Sequence, residues 1–308
     1  VTSTETRAAV TVGTRKPSRR EARRFDPQKR RSTLLTILLW LGVLYFVLPL
    51  WWLLVSSTKD NSTLFSTFGL WFGGDFSFFE NLQTLFTVRG GIFARWLVNT
   101  IVYAGVAAIG ATLLSAMAGY AFAKYDFPGR KALFSATLGA IMIPLTALAL
   151  PTYLLFANAG LTNTPWAVII PSLVSPFGVY LMRVYSADAI PDELIEAARV
   201  DGAGEFRIFG QVGLRLLGPA LVTVFLFSLV ATWNNYFLPL IMLNSSDLYP
   251  VTVGLAQLQS AASAGGGSQA LFSTVITGSF VSIVPLVIAF LVLQRYWQSG
   301  LATGSVKG

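Results

Sequence analysis

The chain has 308 residues, 54% of them hydrophobic and only 12% charged, with a formal net charge of +8. A soluble domain carries about 25% charged residues, and the apolar residues here run in long blocks, so an all-α integral membrane protein is expected. With no Cys and no His, thiol chemistry, a Cys/His zinc site and imidazole catalysis are excluded. No Gly-Lys pair occurs, which removes the P-loop form of ATP binding.

Residues 1–31 are polar and basic, holding ten of the 22 Lys and Arg residues between Arg7 and Arg31. They read as a disordered tail. Their place just before the first apolar run marks an orientation signal rather than a contact for nucleic acid. That run, Ser32 to about Thr58, is too long for a signal-peptide core and reads as a retained first helix. The remainder, 32–308, is one transmembrane domain.

Six spans are expected, at 33–57, 95–122, 132–157, 165–184, 217–243 and 271–295, each near the ~20 residues a bilayer needs. Pro144, Pro151, Pro171, Pro176, Pro239 and Pro285 fall within or beside these runs, where they kink helices rather than forbid them. Between the first two spans, LWFGGDFSFFENL is an aromatic stretch suited to a short helix at the membrane interface. Between the last two, residues 247–270 end in QLQSAASAGGGSQ, flexible by composition.

An N-terminus in the cytoplasm leaves only Lys59, Arg89 and Arg95 outside, against nineteen basic residues inside. The positive-inside rule therefore places both termini in the cytoplasm. Ser32–Thr58, Trp96–Ala123, Ala132–Met182, Leu216–Ser246 and Leu248–Gln294 carry no Asp, Glu, Lys or Arg. Coupling to ions or protons inside the membrane would have almost nothing to act on, so energy must arrive from outside the spans.

Residues 187–215 form the long charge-rich segment after the tail, on the same side as the termini. Pro191 suits a helix start, and Asp192 and Glu193 complement the helix dipole in its first turn. Leu194, Ala197, Ala198 and Asp201 share one face at spacings of three and four. Glu196 can pair with Arg199, and Gly202 supplies the left-handed residue that ends a helix. A second amphipathic run, Phe206 to Leu217, leads on into the fifth span. An acidic helix is repelled by anionic lipid, so a protein partner is the better occupant of its outer face.

Glu196-Ala197-Ala198, three residues, then Gly202 resembles the EAA loop of ATP-binding-cassette importer permeases of the carbohydrate type, within IEAARVDGAGEFRIFGQVGLRLLGPAL. In that family nine residues and I-x-L-P follow. Val212 and Leu214 fit, whereas Arg215 stands where the family has Pro, which puts the local bend before the fifth span in question. GYAFAKYDFPGRKALF, IMIPLTALALPTYLLFANAGLTNTPWAVIIP, WNNYFLPLIMLN and the terminal LATGSVKG are similar to the maltose-type (MalG-like) second permease subunit.

The resemblance implies an inner-membrane transport subunit, not an enzyme. Its coupling helix, about 187–203, would present Glu196, Ala197, Ala198, Asp201 and Gly202 to one of two cytoplasmic ATPases. The implied partners are a second homologous permease subunit, the ATPase dimer, an extracytoplasmic sugar-binding (lipo)protein and membrane lipid. This chain would bind no cofactor, and ATP and Mg would be used by the ATPase.

A neutral sugar needs amides, hydroxyls and aromatic faces. Asn99, Tyr103, Tyr153, Trp233, Asn234, Asn235 and Tyr236 are the candidates for its pathway, with hydrogen bonding between helices the competing role. Gln257, Gln259, Gly265, Gly266 and Gly267 resemble, in position only, the outer loop that reaches toward the binding protein. Import of another solute, such as a polyol or a glycerol-phosphate ester, is the alternative; a secondary transporter is disfavoured.

Overall fold

A computed structural model of the chain describes residues 32–264 and 271–304. The expected tail, 1–31, and Gly265, Gly266 and Gly267 lie outside the described residues. The chain divides into two units, residues 1–50 and 51–308.

In chain order the helices are α1 (Thr33–Ser57), α2 (Asn61–Ser66), α3 (Phe78–Thr87), α4 (Ile92–Lys124), α5 (Arg130–Ile141), α6 (Ala149–Asn158), α7 (Trp166–Ser172) and α8 (Pro176–Ala189). They continue as α9 (Asp192–Val200), α10 (Glu205–Ile208), α11 (Leu214–Leu216), α12 (Gly218–Trp233), α13 (Phe237–Met242), α14 (Val251–Ser263) and α15 (Leu271–Gly304). Among the described residues there is no strand. In the first unit, the α1 residues up to Leu50 expose nearly every large apolar side chain, as a lipid-facing helix does.

Among the described residues, four stretches are long and apolar enough to cross a membrane: Thr33–Ser57, Ile92–Lys124, Trp166–Ala189 and Leu271–Tyr296. A fifth is reached if Glu205–Leu216 and Gly218–Trp233, bent by 82°, count as one. The stretch expected as a third span, 132–157, is two short helices, α5 and α6, with a break between Met142 and Leu148. Pro144 sits in that break, where it removes a donor and biases its neighbour away from helical angles. The expected fifth span, 217–243, is also divided. Helix α12 stops at Trp233, Asn234 caps it, and the helix resumes as α13. By contrast, Pro285 lies inside an unbroken α15.

The second unit is assembled around α4. Ala104, Ala107, Ala108, Ala111, Thr112, Ser115, Ala116 and Gly119 are all buried along it. Such small residues let helix backbones approach closely where no hydrophobic force separates protein from lipid. A side-chain carbon on Gly119 would stand 2.6 Å from the Arg183 amide nitrogen and 2.7 Å from the Met182 carbonyl carbon. That is backbone, which cannot swing aside.

The other end of α4 holds a loop. Trp96 Nε1 donates to the Ser246 carbonyl at 2.8 Å, and Asn99 Nδ2 to the carbonyls of Asp247 and Tyr249 at 2.8 and 3.0 Å. Tyr103 Oη donates to the Leu248 carbonyl at 3.0 Å, and Thr100 Oγ1 accepts from the Val251 amide at 2.8 Å. Positions 96, 99, 100 and 103 share one helix face. They satisfy the backbone of a connection that would otherwise bury unpaired carbonyls.

Residues 251–263 are helical, against the flexible loop expected there. Val251, Val253, Leu255, Leu258 and Ala262 of α14 are buried, and Leu85, Phe93 and Trp96 belong to the same core. Around the aromatic stretch 70–82, a helix forms only from Phe78 onward. Phe65, Phe68, Trp71, Phe76 and Phe79 stay exposed. Lys59, counted among the outer cations, is fully buried, and its Nζ donates to the Phe68 carbonyl at 2.8 Å.

Gly119→Ala should lower stability by about 1–3 kcal/mol through overpacking against backbone. Gly110→Ala, whose new carbon meets only the Leu173 side chain, should cost less. Thermal unfolding of the purified variants in one detergent measures both, and equal losses would contradict this packing.

Candidate functional site

The segment that projects at the Lys124 end of α4 is built from two short helices and a turn. Helix α9 begins after Pro191, which occupies the capping position rather than the first helical one. The helix is shorter than the expected 187–203, because Ala187–Ala189 complete α8. Lys124, in the last turn of α4, fixes its start. The Lys124 side chain is only 6% exposed, and its Nζ lies 2.7 Å from Asp192 Oδ1 and 2.5 Å from the Ile190 carbonyl. The cation thus complements three negative features at once: the end of α4, a free carbonyl and an acid.

The far end of α9 closes through glycine. Gly202 adopts φ +78°, the Gly202 amide donates to the Arg199 carbonyl at 3.0 Å, and the Ala203 amide to the Ala198 carbonyl at 2.9 Å. This pair of bonds is the Schellman closure, for which Gly carries no steric penalty. The turn brings Glu205 back toward α9. Arg199 therefore pairs with Glu205, Nε to Oε1 at 2.8 Å and a second contact to Oε2 at 3.3 Å, and not with Glu196 as its spacing suggested.

Tyr125, the residue after Lys124, donates from Oη to Glu205 Oε2 at 2.6 Å. The Arg199 guanidinium and the Tyr125 hydroxyl together hold the Glu205 carboxyl below its ordinary range. Burial, and then the hydrogen bond to Glu205, push the Tyr125 phenol up. Both groups keep the form that the cluster needs at neutral pH.

One face of α9 is committed to this base. Ile195 is buried with Tyr120, Ile190, Ile208 and Leu217, and Ala198 and Ala203 pack against them. Of the five expected docking residues, Glu196, Ala197, Asp201 and Gly202 are exposed, whereas Ala198 turns inward. The uncovered surface also contains three apolar residues outside that expected set of five: Leu194 (46% exposed), Val200 (88%) and Phe206 (83%). Val200 and Phe206 break the amphipathic pattern by being bulky on a wet face, the signal that would have found them.

Beyond Glu205, the chain continues through α10, a π-helical stretch Phe209–Gly213 and α11. It then turns by 82° into α12. Leu217, at ψ 2°, leaves helical geometry and Pro219 occupies the first turn of α12. The bend thus forms without a proline at Arg215.

The pathway candidates separate. Asn99 and Tyr103 (3% exposed) carry the loop bonds described above. Tyr153 packs against the main core, and Trp233 is buried with Ala104, Ala108 and Leu229. The Asn235 carbonyl accepts from Thr252 Oγ1 at 2.9 Å. Asn234 and Tyr236 are exposed. Gln257 and Gln259 stand on α14, the first half-buried and the second exposed. Among the described residues, no three Asp or Glu side chains converge on a metal-sized space.

Residues 111–301 match the family model described as "Binding-protein-dependent transport system inner membrane component". The chain is 35% identical over 286 residues to an arabinooligosaccharides transport system permease protein of Halalkalibacterium halodurans, covering 91% of this chain and 100% of that one. It is 30% identical over 264 residues to a lactose transport system permease protein of Rhizobium radiobacter, covering 85% and 91%. Its fold superimposes with a TM-score of 0.74 on a chain of a bacterial ABC transporter involved in the import of the acidic polysaccharide alginate, at 23% identity and with 86% and 95% coverage.

Because its stability derives from a folded-state carboxyl pKa below the ordinary value, the Arg199–Glu205–Tyr125 cluster should be intact at neutral pH. It should be lost as pH falls through that lowered pKa. Hydrogen exchange of residues 199–206 should therefore rise on acidification in the wild type. In Glu205→Gln it should be high throughout, and a flat wild-type profile would contradict the assignment. Asn99→Ala should lower the free energy of unfolding by about 1–3 kcal/mol through lost carbonyl pairing, read as a lower unfolding temperature with no solute present.

Family model, relatives and fold agree, and this multi-pass membrane chain belongs to the inner-membrane components of binding-protein-dependent transport systems, the permease subunits of ATP-driven importers.

Proposed function

We propose that the chain is one half of the translocation pathway of a sugar importer, and that α9 is where a separate ATPase pushes on it. The observation that carries this reading is the way α9 is mounted. Its inner face and both ends are fastened to α4 and to the stem of α12, while Glu196, Ala197, Val200 and Phe206 remain uncovered. A helix held so firmly transmits force, and one with bulky apolar residues in water is completed by a protein partner.

In this reading both termini and α9 are cytoplasmic, supported by the distribution of Lys and Arg. A second, homologous permease subunit lines the other half of the pathway, and lipid covers the exposed apolar face of α1. ATP and Mg act in the ATPase, and an extracytoplasmic binding protein delivers the solute. Sugar is favoured because the relatives named above carry oligosaccharide or lactose in their descriptions, and because spans with few ionisable residues suit an uncharged solute. Asn234 and Tyr236 are the exposed pathway residues able to meet it. ATP must bind the two conformations of the assembly unequally for α9 to move.

Glu196→Lys, Gly202→Val and Phe206→Ala should each reduce solute uptake by about tenfold or more in proteoliposomes holding the complete importer. The unfolding temperature of the permease should stay near the wild-type value for Glu196→Lys and Phe206→Ala, and should fall for Gly202→Val, whose branched side chain is strained at φ +78°. Normal uptake in all three would remove α9 from the coupling route.

A further inference from the structure

At the α9 end of the second unit, the turn from α4 to α5 and the adjoining face of α8 enclose an open cavity of about 980 Å³. Arg130, Lys131 and Arg183 line it, and Asp126 is the only carboxylate on its wall. Arg130 is neutralised by Asp126 and also donates to the Tyr125 carbonyl at 3.0 Å. Neither Lys131 nor Arg183 has an acidic partner among the described residues. The cavity therefore keeps two uncompensated cations.

Arg183 is held in a particular way. Its guanidinium carbon lies 4.3 Å from the centre of the Phe134 ring, and Phe134 is packed against Phe122 and stacked with Tyr180. Stacking on an aromatic face occupies the plane of a guanidinium and leaves its edge donors free for a planar or tetrahedral oxyanion. Lys131 belongs to the first turn of α5, which contains two cations, no acid and no side-chain cap. Cations there oppose the helix dipole, an arrangement that an anion in the cavity would relieve.

The surroundings are apolar as well as cationic. Phe127, Ala132 and Phe134 share the wall, and Leu133, one residue on from the wall, is 56% exposed on α5. A charged recess that opens beside exposed apolar helix, at the end of a membrane-crossing helix, matches a phosphodiester headgroup whose chains lie along the protein.

We propose that this cavity is a binding site for a phosphate-bearing anion, with Lys131 and Arg183 as its ligands, and that the anionic phospholipid of the adjoining leaflet occupies it. The assignment rests on the membrane placement of α4 and needs neither the ATPase nor a transported solute. Its failure and the failure of the coupling reading are therefore distinguishable.

The test is native mass spectrometry of the purified full-length chain, titrated with phosphatidylglycerol or phosphatidylcholine, alone and with inorganic phosphate. Wild type should retain phosphatidylglycerol in preference to phosphatidylcholine. The Lys131→Gln/Arg183→Met double variant should bind phosphatidylglycerol about thirtyfold more weakly, two basic residues near a lipid surface contributing about 1 kcal/mol each. Arg183→Lys keeps the charge but loses the planar fork, and should fall between the two. It also serves if the double variant does not fold.

Displacement of phosphatidylglycerol by millimolar inorganic phosphate would assign the site to soluble phosphate, and no displacement would assign it to lipid. Unchanged retention in folded double variant would overturn the site. So would an equal loss in Arg207→Gln/Arg215→Gln, whose cations lie outside the cavity, because binding would then be diffuse.

Discussion

Much of the second unit is built on the surface of one 33-residue helix, α4, and on how near the backbones of α8 and α12 can come to it. Along its middle, alanine, serine, threonine and glycine leave no side chain in the way of α8 and α12. In lipid this proximity is the main source of helix association, since apolar side chains gain little by leaving one another. The same helix uses longer side chains at its ends. Trp96, Asn99 and Tyr103 reach carbonyls of the 246–249 connection, and Lys124 reaches across to Ile190 and Asp192. Small residues in the centre and hydrogen-bonding ones at both ends make α4 a frame rather than one helix among several.

The segment that contains α9 inherits its rigidity from that frame. Taken singly, the exposed contacts at Glu205 would be weak. Their effect comes from convergence: Glu205 receives Arg199 from the end of α9 and Tyr125 from just past the end of α4. A carboxylate gripped from two elements fixes their mutual position better than either bond alone, because losing one contact does not release the other. Ile195 and Ile208 fill the space beneath. The outer face of α9 is then free to be acidic and apolar in mixture, with no burden of holding itself in place.

Much of this was legible in the residues. Blocks without charge identified a membrane protein, the acidic first turn and Gly202 identified a short capped helix, and the motif from Glu196 to Gly202 identified the family. What escaped was long-range. Arg199 was matched with the nearest acid in the helix, because a sequence does not say that a left-handed turn will return Glu205 to it. Asn99 and Tyr103 looked free for a solute until the connection some 150 residues later came to rest on them. Residues 251–263 looked like a linker because small polar residues hide a helical spacing of Val251, Leu255, Leu258 and Ala262. The break in the third expected span was signalled by Pro144 but read as a kink. A single proline does not reveal whether its neighbours will resume at once or only after several residues.

The length of α4 has a mechanical meaning. At 1.5 Å per residue, 33 residues extend about 50 Å, against about 30 Å of hydrocarbon. A rod that overhangs its membrane by two-fifths of its span is a lever. Tilting it by about 10° carries one tip about 9 Å relative to the other without breaking any bond inside it. Small angular changes at one water boundary can thus become large displacements at the opposite one.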